Sequence, residues 1–287
     1  MLKGLRGTLF QRLLKDLLYS LLFLRGTSVR ETLKVFHAGL TFLFDKLSGR
    51  YCNDHFFTFL YKRYGIRYLC WRTFGCKVML RTDCPGDYLV VRPGYEYPIR
   101  KFFKPKLGDI VVDVGAYIGT YTLMAAMKVG KKGLVIAIEP DLENFRSLLL
   151  NIYLNNVRNV IPIRAAVADV DGNITFFVSK EKTGSSVIRI PEEIKSKITV
   201  PAVKLDTIVS KLALPRIDWL KIDVEGAEAL VLKGTSKTLE VTRRLIIEVW
   251  PENRKEIYGI LRQQGFKIIR VTVGPMDTIN VIAKRCD

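Results

Sequence analysis

Short apolar segments alternate with helical patterns through residues 109–264, and this alternation constrains the fold more than any other feature of the sequence. Uninterrupted apolar runs are typical of strands buried on both faces. Strands that alternate with helices predict a parallel sheet covered by helices on both sides. The predicted strands cover residues 110–112, 134–138, 160–163, 219–222 and 245–249, and the predicted helices cover residues 120–128, 142–154, 227–232 and 254–264.

The segments on either side of this pattern, and one inside it, are predicted differently. Residues 267–273 and 278–283 flank the turn Gly274-Pro275-Met276-Asp277, which predicts a hairpin that adds an antiparallel edge to the sheet. Before the alternation begins, residues 76–81 and 88–91 are predicted to form a strand pair. After residue 163 the sequence is rich in strand signals, and residues 182–186 there are either a loop that faces substrate or an ordinary hairpin tip.

The first third of the chain is basic and begins with an amphipathic pattern. Residues 1–107 carry 20 Lys and Arg against 7 Asp and Glu, so most of the net charge of +18 lies there. Residues 9–21 place leucines on one half of a helix and polar residues on the other, which fits either peripheral contact of residues 1–27 with an anionic membrane or packing on protein. We expect residues 1–94 to form a basic, mainly helical extension with a short strand pair, and residues 95–287 to form a separate domain.

Cysteine usage and hydropathy exclude several classes of protein. The five cysteines form no Cys-x-x-Cys pair and the chain has two histidines, so it offers no ligand set for structural zinc. The longest apolar run near the start is too short to span a bilayer and lacks a signal-peptide cleavage site. We therefore expect a cytoplasmic protein, with the inner face of the membrane as the place of any peripheral contact.

A glycine turn follows the first predicted strand and indicates a nucleoside site. The segment Asp113-Val114-Gly115-Ala116-Tyr117-Ile118-Gly119-Thr120 opens a helix, and ligands of parallel sheets bind at such strand ends. The spacing lacks the second glycine that lets a backbone approach a pyrophosphate, which disfavours a dinucleotide. Because Asp113 would repel a phosphate and attract an ammonium, a ligand with adenosine and an amino-acid tail fits better.

Acidic residues follow the next two strands. Glu139, in Ile138-Glu139-Pro140, is placed where a carboxylate can accept both hydroxyl hydrogens of a ribose. Asp169, after the third strand, is a candidate for the adenine amino group. An acidic residue at a strand end is also often a helix cap or a solvated side chain, so the nucleoside prediction depends on the agreement between these positions and the glycine turn.

A further motif, Lys221-Ile222-Asp223-Val224-Glu225-Gly226-Ala227-Glu228, lies at the predicted strand 219–222. Together with the glycine turn, Ile138-Glu139-Pro140 and Val203-Lys204-Leu205-Asp206, it resembles the FkbM-like family of class I S-adenosylmethionine-dependent methyltransferases. The resemblance implies a Rossmann-like α/β fold with a seven-stranded, mostly parallel sheet and an antiparallel C-terminal hairpin. It also implies S-adenosyl-L-methionine as cofactor. The candidate cofactor-binding residues are Asp113, Gly115, Ala116, Tyr117, Gly119, Thr120, Glu139, Pro140 and Asp169. Tyr117 departs from the family, which usually has Asn there.

Methyl transfer requires alignment of donor and acceptor and removal of the acceptor's proton. Asp223 and Glu225 are the candidate catalytic carboxylates, because they follow the strand that ends beside the expected sulfonium. The alternative is that Glu225 and Glu228 only complement a helix N-terminus, which we favour for Glu228. Asp223 and Glu248 together are a candidate Mg²⁺ site, since Mg²⁺ is commonly held by one or two carboxylates.

The sequence thus predicts a methyltransferase that modifies a hydroxyl group of a polar, glycan-bearing or lipid-linked small molecule. One alternative is a nucleic-acid methyltransferase, which the net charge favours although no RNA-binding module is recognisable. A second alternative is a non-catalytic, membrane-associated binding protein on the same fold. The presence of Asp113, Gly115, Gly119 and Glu139 disfavours this last class.

Overall fold

The computed structural model describes residues 24–25, 32–33, 35, 37, 68–92, 94–179, 185–188, 194–274 and 276–286. The chain divides into two compact units, residues 1–93 and 94–287. The amphipathic helix predicted over residues 9–21 and the predicted loop residues 182–184 lie outside the described residues. Within the described part of the chain, no helix is both long enough and apolar enough to cross a membrane.

The first unit contains a three-stranded antiparallel sheet and a helix. Strand β1 (Leu24–Arg25) pairs with β2 (Tyr68–Thr73), and β2 pairs with β3 (Cys76–Arg81). Helix α1 (Pro85–Val91) follows β3, so the prediction that residues 76–81 pair with residues 88–91 is wrong. Proline at the first helical position has a suitable φ and lacks an N–H that would be unbonded there. Asp87 then accepts hydrogen bonds from the backbone N and the side chain of Arg81, which hold α1 against β3.

The second unit contains ten strands and seven helices among its described residues. Its strands are β4 (Ile110–Val114), β5 (Leu134–Ile138), β6 (Val160–Ile163), β7 (Ala166–Val167), β8 (Gly172–Ser179), β9 (Ile194–Val203), β10 (Trp219–Ile222), β11 (Arg244–Val249), β12 (Phe266–Val273) and β13 (Ile279–Arg285). Its helices are α2 (Tyr97–Arg100), α3 (Thr120–Val129), α4 (Leu142–Leu154), α5 (Leu205–Lys211), α6 (Glu228–Lys233), α7 (Ser236–Glu240) and α8 (Arg254–Gln263). Single 3-10 turns lie at Gly130–Lys132 and Pro251–Asn253.

The predicted seven-stranded, mostly parallel α/β sheet is confirmed. Its order is β12-β13-β11-β10-β4-β5-β6, and β11, β10, β4, β5 and β6 pair in parallel. The predicted C-terminal hairpin is also present, and β13 inserts antiparallel between β11 and β12. The carboxyl ends of β4, β5, β10 and β11 therefore meet along one edge of the sheet, where the predicted site residues lie.

Apolar side chains cover both faces of this sheet. On one face, Val112 and Ile222 belong to a core that includes residues of α5 to α8. On the other face, Val111 and Trp219 pack with Tyr121 of α3 and Phe103, which follows α2. Because the central strands are buried on both faces, their registers are fixed and the loops at their ends have defined positions.

The sequence between β6 and β10 forms a separate three-stranded sheet, ordered β7-β9-β8. Strands β8 and β9 make a long antiparallel hairpin, and β7 pairs in parallel with the end of β9. This sheet has its own apolar cluster around Phe176, Val178 and Val200. The strand signals after residue 163 are thus accounted for by a sheet that does not extend the seven-stranded one.

Candidate active site

Gly115 brings the ends of β4 and β10 into contact. Its φ is +77°, and a Cβ placed on it would lie 1.8 Å from the backbone O of Asp223. Its N–H donates to the backbone O of Ile138 at the end of β5, at 3.0 Å. Only a residue without a side chain allows this approach, so the glycine positions three strand ends at once.

The remaining turn residues continue to the start of α3. Ala116 is buried, and its N–H also donates to the O of Ile138 at 3.0 Å. Gly119 has φ +91°, and a Cβ there would lie 2.5 Å from Cδ1 of Leu148, while Thr120 is the buried first residue of α3. Tyr117 has φ +53°, a left-handed conformation that asparagine adopts more readily than tyrosine. This explains physically why the family usually has Asn at this position.

Glu139 is buried at the end of β5 and is held from two sides. Its Oε2 accepts from the N–H of Tyr117 and its Oε1 from the N–H of Asp141, both at 2.9 Å. Burial raises the pKa of Glu139 to about 7, although these backbone hydrogen bonds act to lower it. Pro140 connects Glu139 to Asp141, whose carboxylate caps α4. The structure therefore brings the predicted ribose carboxylate against the glycine turn.

Asp169 lies half-buried, two residues after the end of β7. A Cβ placed on Gly234 would lie 3.2 Å from the Cα of Asp169 and 2.1 Å from the backbone O of Ala168, so the two loops are in close contact. The assignment of Asp169 to an adenine amino group stays a prediction.

A buried lysine connects the ends of β4 and β10. Lys221 Nζ lies 3.1 Å from Oδ2 of Asp223 and 3.6 Å from Oδ1 of Asp113. Oδ2 of Asp113 accepts a 2.6 Å hydrogen bond from the hydroxyl of Thr122. Burial acts to lower the pKa of Lys221, but Asp223, Asp113 and Glu96 outweigh it and hold that pKa above its usual value. The ammonium is therefore charged, and it fixes one oxygen of the predicted catalytic carboxylate.

Further carboxylates follow β10 and β11. Glu225 has the left-handed φ of +54°, and Glu248 lies near the end of β11. Asp223 and Glu225 are the carboxylates whose charges act most on Glu248. Burial, then these two neighbouring carboxylates, raises the pKa of Glu248 to about 10. Oε1 of Glu248 accepts a 3.2 Å hydrogen bond from the hydroxyl of Thr278. This end of the sheet is therefore rich in carboxyl groups, although the protein as a whole is basic.

Glu228 begins α6 and has a structural partner for each oxygen. Its Oε1 accepts from the N–H of Gly226 at 2.8 Å, and its Oε2 accepts from Nδ2 of Asn253 at 3.2 Å. Burial raises its pKa to about 7. These contacts are those of a residue that fixes the loop after β10.

The predicted Mg²⁺ site at Asp223 and Glu248 receives no support. Among the described residues, no group of three or more His, Cys, Asp or Glu side chains is arranged to hold a metal ion. The ammonium of Lys221 already pairs with Asp223, so a metal cation would have to compete with this ammonium for the carboxylate.

Four residues of this region were not singled out from the sequence. Tyr121 Oη donates a 2.7 Å hydrogen bond to Oε2 of Glu96, and the guanidinium of Arg100 stacks on the rings of Tyr121 and Tyr95. Carboxylates close to Tyr95 contribute, after burial, to raising the pKa of its phenol. Residues 95–100 precede the predicted strand 110–112, and no periodicity or motif in them indicates a site.

Comparison with known proteins gives one family and several relatives. The methyltransferase FkbM domain matches residues 113–268. Methyltransferase sdnD of Sordaria araneosa is 29% identical over 235 residues, which are 67% of this chain and 90% of that protein. The hexuronic acid methyltransferase AglP of Haloferax volcanii is 29% identical over 141 residues, which are 49% of this chain and 56% of that protein. The solved structure of an S-adenosylmethionine-dependent methyltransferase from Aquifex aeolicus is 19% identical, covers 71% of this chain and 95% of its own, and has a TM-score of 0.41.

Proposed function

Because the chain belongs to the FkbM family of S-adenosylmethionine-dependent methyltransferases, we propose that it methylates a hydroxyl group of a polar, glycan-bearing or lipid-linked small molecule. The cofactor, when bound, supplies a methyl group on a positively charged sulfur. The chain's own residues would hold the ribose at Glu139, the methionine end at the turn from Gly115 to Thr120, and the adenine beside Asp169. These residues fit the group, because Glu139 and the turn are hydrogen-bonded to each other at the edge where a nucleoside binds.

The observation that carries the proposal is the carboxylate of Asp223 beside the glycine turn. Its Oδ2 is fixed by Lys221, while its side chain remains 29% exposed. A carboxylate in this place can accept the proton of an acceptor hydroxyl as the hydroxyl oxygen attacks the methyl carbon. The carbon–sulfur bond breaks and its electron pair stays on sulfur, so the products are a methyl ether, S-adenosylhomocysteine and one proton. Glu225, two residues after Asp223, is the candidate to orient the acceptor or to share this role.

The charge of the site favours an uncharged hydroxyl over a nucleic acid. Asp223 and Glu225 lie at the reaction end of the sheet, where their negative charges would repel a phosphate. The net charge of +18 remains the basis of the nucleic-acid alternative. The name of the Haloferax relative, a hexuronic acid methyltransferase, supports a sugar-derived acceptor, and the single carboxylate of such a sugar is repelled less than the many phosphates of a nucleic acid.

The test is transfer of labelled methyl from S-adenosylmethionine to a panel of acceptors. The panel contains free hexuronic acids, neutral glycosides, a lipid-linked oligosaccharide and random-sequence RNA. We expect transfer to a hydroxylated sugar acceptor with wild type and with Glu240→Gln, an exposed carboxylate on α7, and loss of transfer with Asp223→Asn. Transfer to RNA alone would overturn the acceptor class, and failure to bind S-adenosylhomocysteine would overturn the cofactor.

A further inference from the structure

Glu96 occupies an unusual place at the reaction end of the second unit. It immediately precedes α2, with a left-handed φ of +49°, and its backbone O accepts from the N–H groups of Ile99 and Arg100. A non-glycine residue keeps such a backbone only where its surroundings hold it there, and functional sites are a common setting. Glu96 also lies before residue 113, where the FkbM domain match begins.

The carboxylate of Glu96 is anchored by one oxygen. Oε2 accepts the 2.7 Å hydrogen bond from Tyr121, whose ring also lies over Nζ of Lys221 at 4.9 Å. Within the part of the chain that the structure describes, Oε1 of Glu96 accepts no hydrogen bond. The side chain is therefore fixed in direction while one oxygen is available to a ligand.

Charged and titratable groups face Glu96 from four sides. Burial, then the carboxylate of Asp223, raises the pKa of Glu96, while Lys221, Tyr121 and Arg100 act to lower it. Contacts through Tyr121 and Lys221 connect Glu96 to Asp223, because the Tyr121 ring lies over Lys221 Nζ and Lys221 pairs with Asp223. The backbone O of Asp223 in turn contacts Gly115 of the turn that would hold the methionine end of the cofactor.

We propose that Glu96 is a further charge of the methyl-transfer centre, and that with Asp223 it distinguishes the positively charged methyl donor from its neutral product. The proposal rests on the proposed function. S-adenosylmethionine carries a positive charge on its sulfur, whereas the sulfur of S-adenosylhomocysteine is neutral. Apart from this charge and the methyl group on sulfur, the two molecules are identical. An anionic surround binds the first more tightly than the second through Coulomb attraction. Donor binding and product release are then both favoured by the same two carboxylates.

The test compares ligands that differ in charge at one atom. Calorimetry measures the dissociation constants of S-adenosylmethionine, of S-adenosylhomocysteine and of sinefungin, which carries an amine in place of the sulfonium. With Glu96→Gln we expect the two cationic ligands to weaken by about tenfold and the neutral product to change less than about twofold. Glu240→Gln, which removes an exposed carboxylate of the same unit, is expected to leave all three constants unchanged.

A second variant separates charge from shape. Glu96→Asp keeps the charge but shortens the side chain, which draws the carboxylate away from Tyr121, whereas Glu96→Gln keeps the length and removes the charge. The proposal expects the aspartate variant to retain more donor-over-product preference than the glutamine variant. The reverse order, or equal weakening of all three ligands, would show a purely structural role and overturn it. If wild type binds none of the three, the cofactor site itself is refuted and the inference falls with it.

Discussion

The backbone N–H of Tyr117 donates a 2.9 Å hydrogen bond to the carboxylate of Glu139, so the glycine turn and the predicted ribose-binding residue are joined directly. The same carboxylate accepts from Asp141 at the start of α4. The shape of the turn and the position of the carboxylate therefore depend on each other.

Substitution of Glu139 tests this connection and the ribose assignment together. Glu139→Gln replaces one acceptor oxygen with an N–H donor, which would face a backbone N–H of Tyr117 or Asp141. We expect S-adenosylhomocysteine to bind at least about tenfold more weakly, as measured by calorimetric titration. The control is Glu240→Gln, and equal affinity for the two variants would refute the ribose assignment.

The buried carboxyls predict that stability falls as pH rises. The pKa values of Glu139 and Glu228 are about 7 in the folded protein, above their usual value of 4.5. A raised pKa means that the folded state binds the proton more tightly, so the contribution to stability is present below pH 4.5 and is lost as pH rises to about 7. Each carboxyl accounts for up to about 3 kcal/mol over this window.

Urea unfolding of the ligand-free protein across this window measures that dependence. Glu228→Gln is expected to remove its share of the slope, because the amide does not titrate. A variant whose pH slope equals that of wild type would show that Glu228 does not contribute.

The predicted base is tested by Asp223→Asn. The amide keeps a partner for Lys221 but cannot take up the acceptor's proton. We expect kcat to fall by about 100-fold or more while the affinity for S-adenosylhomocysteine stays within about threefold of wild type. Steady-state kinetics with an acceptor identified from the panel and calorimetry with the product give the two values. An unchanged kcat would show that Asp223 is not the base and would leave Glu225 as the candidate for that role.

Two glycine substitutions separate a required glycine from a dispensable one. Gly115→Ala would place Cβ 1.8 Å from the backbone O of Asp223 at a φ of +77°, so the strand ends must separate. We expect a loss of about 2 kcal/mol or more in the free energy of unfolding, together with loss of product binding. Gly259→Ala, in α8 with nothing within 4 Å, is expected to be neutral or to stabilise by up to about 1 kcal/mol. Similar effects of the two substitutions on unfolding would contradict the packing described for Gly115.

Membrane contact of residues 1–27 stays a prediction, and point substitutions test it better than a deletion. Residues 24–25 pair with β2, so a deletion that reaches residue 27 would also remove a strand. Leu13→Gln with Leu17→Gln, on the apolar half of the predicted helix, is the better change, and flotation with anionic phosphatidylserine vesicles is the measurement. We expect these substitutions to abolish flotation, while Gln11→Ala with Asp16→Ala on the polar half leaves it. Equal flotation of all three proteins would exclude the amphipathic contact.

The parts of the fold predicted from the sequence are those set by local pattern. The buried strands β4, β5, β10 and β11 are predominantly apolar, and residues at their carboxyl ends meet in any parallel sheet of this kind. The approximate grouping of Gly115, Glu139 and Asp223 therefore followed from their order along the chain.

The parts that were missed depend on contacts between segments far apart in sequence. A short apolar run such as residues 88–91 is compatible with either a strand or a helix. The helix is favoured by Pro85 and by the ion pair of Asp87 with Arg81. Lys221 was visible in its motif, but its place between two carboxylates depends on the pairing of β10 with β4. A short apolar run and a single lysine carry no signal of these partners.

The small β7-β9-β8 sheet is attached to the core of the seven-stranded sheet by Val167 of β7, whereas the outer part of its hairpin has its own hydrogen bonds and its own apolar cluster. Its hairpin can therefore lengthen, shorten or change sequence during evolution without altering the register of the seven-stranded sheet. Relatives with the same methyl-donor geometry are free to diversify at this hairpin.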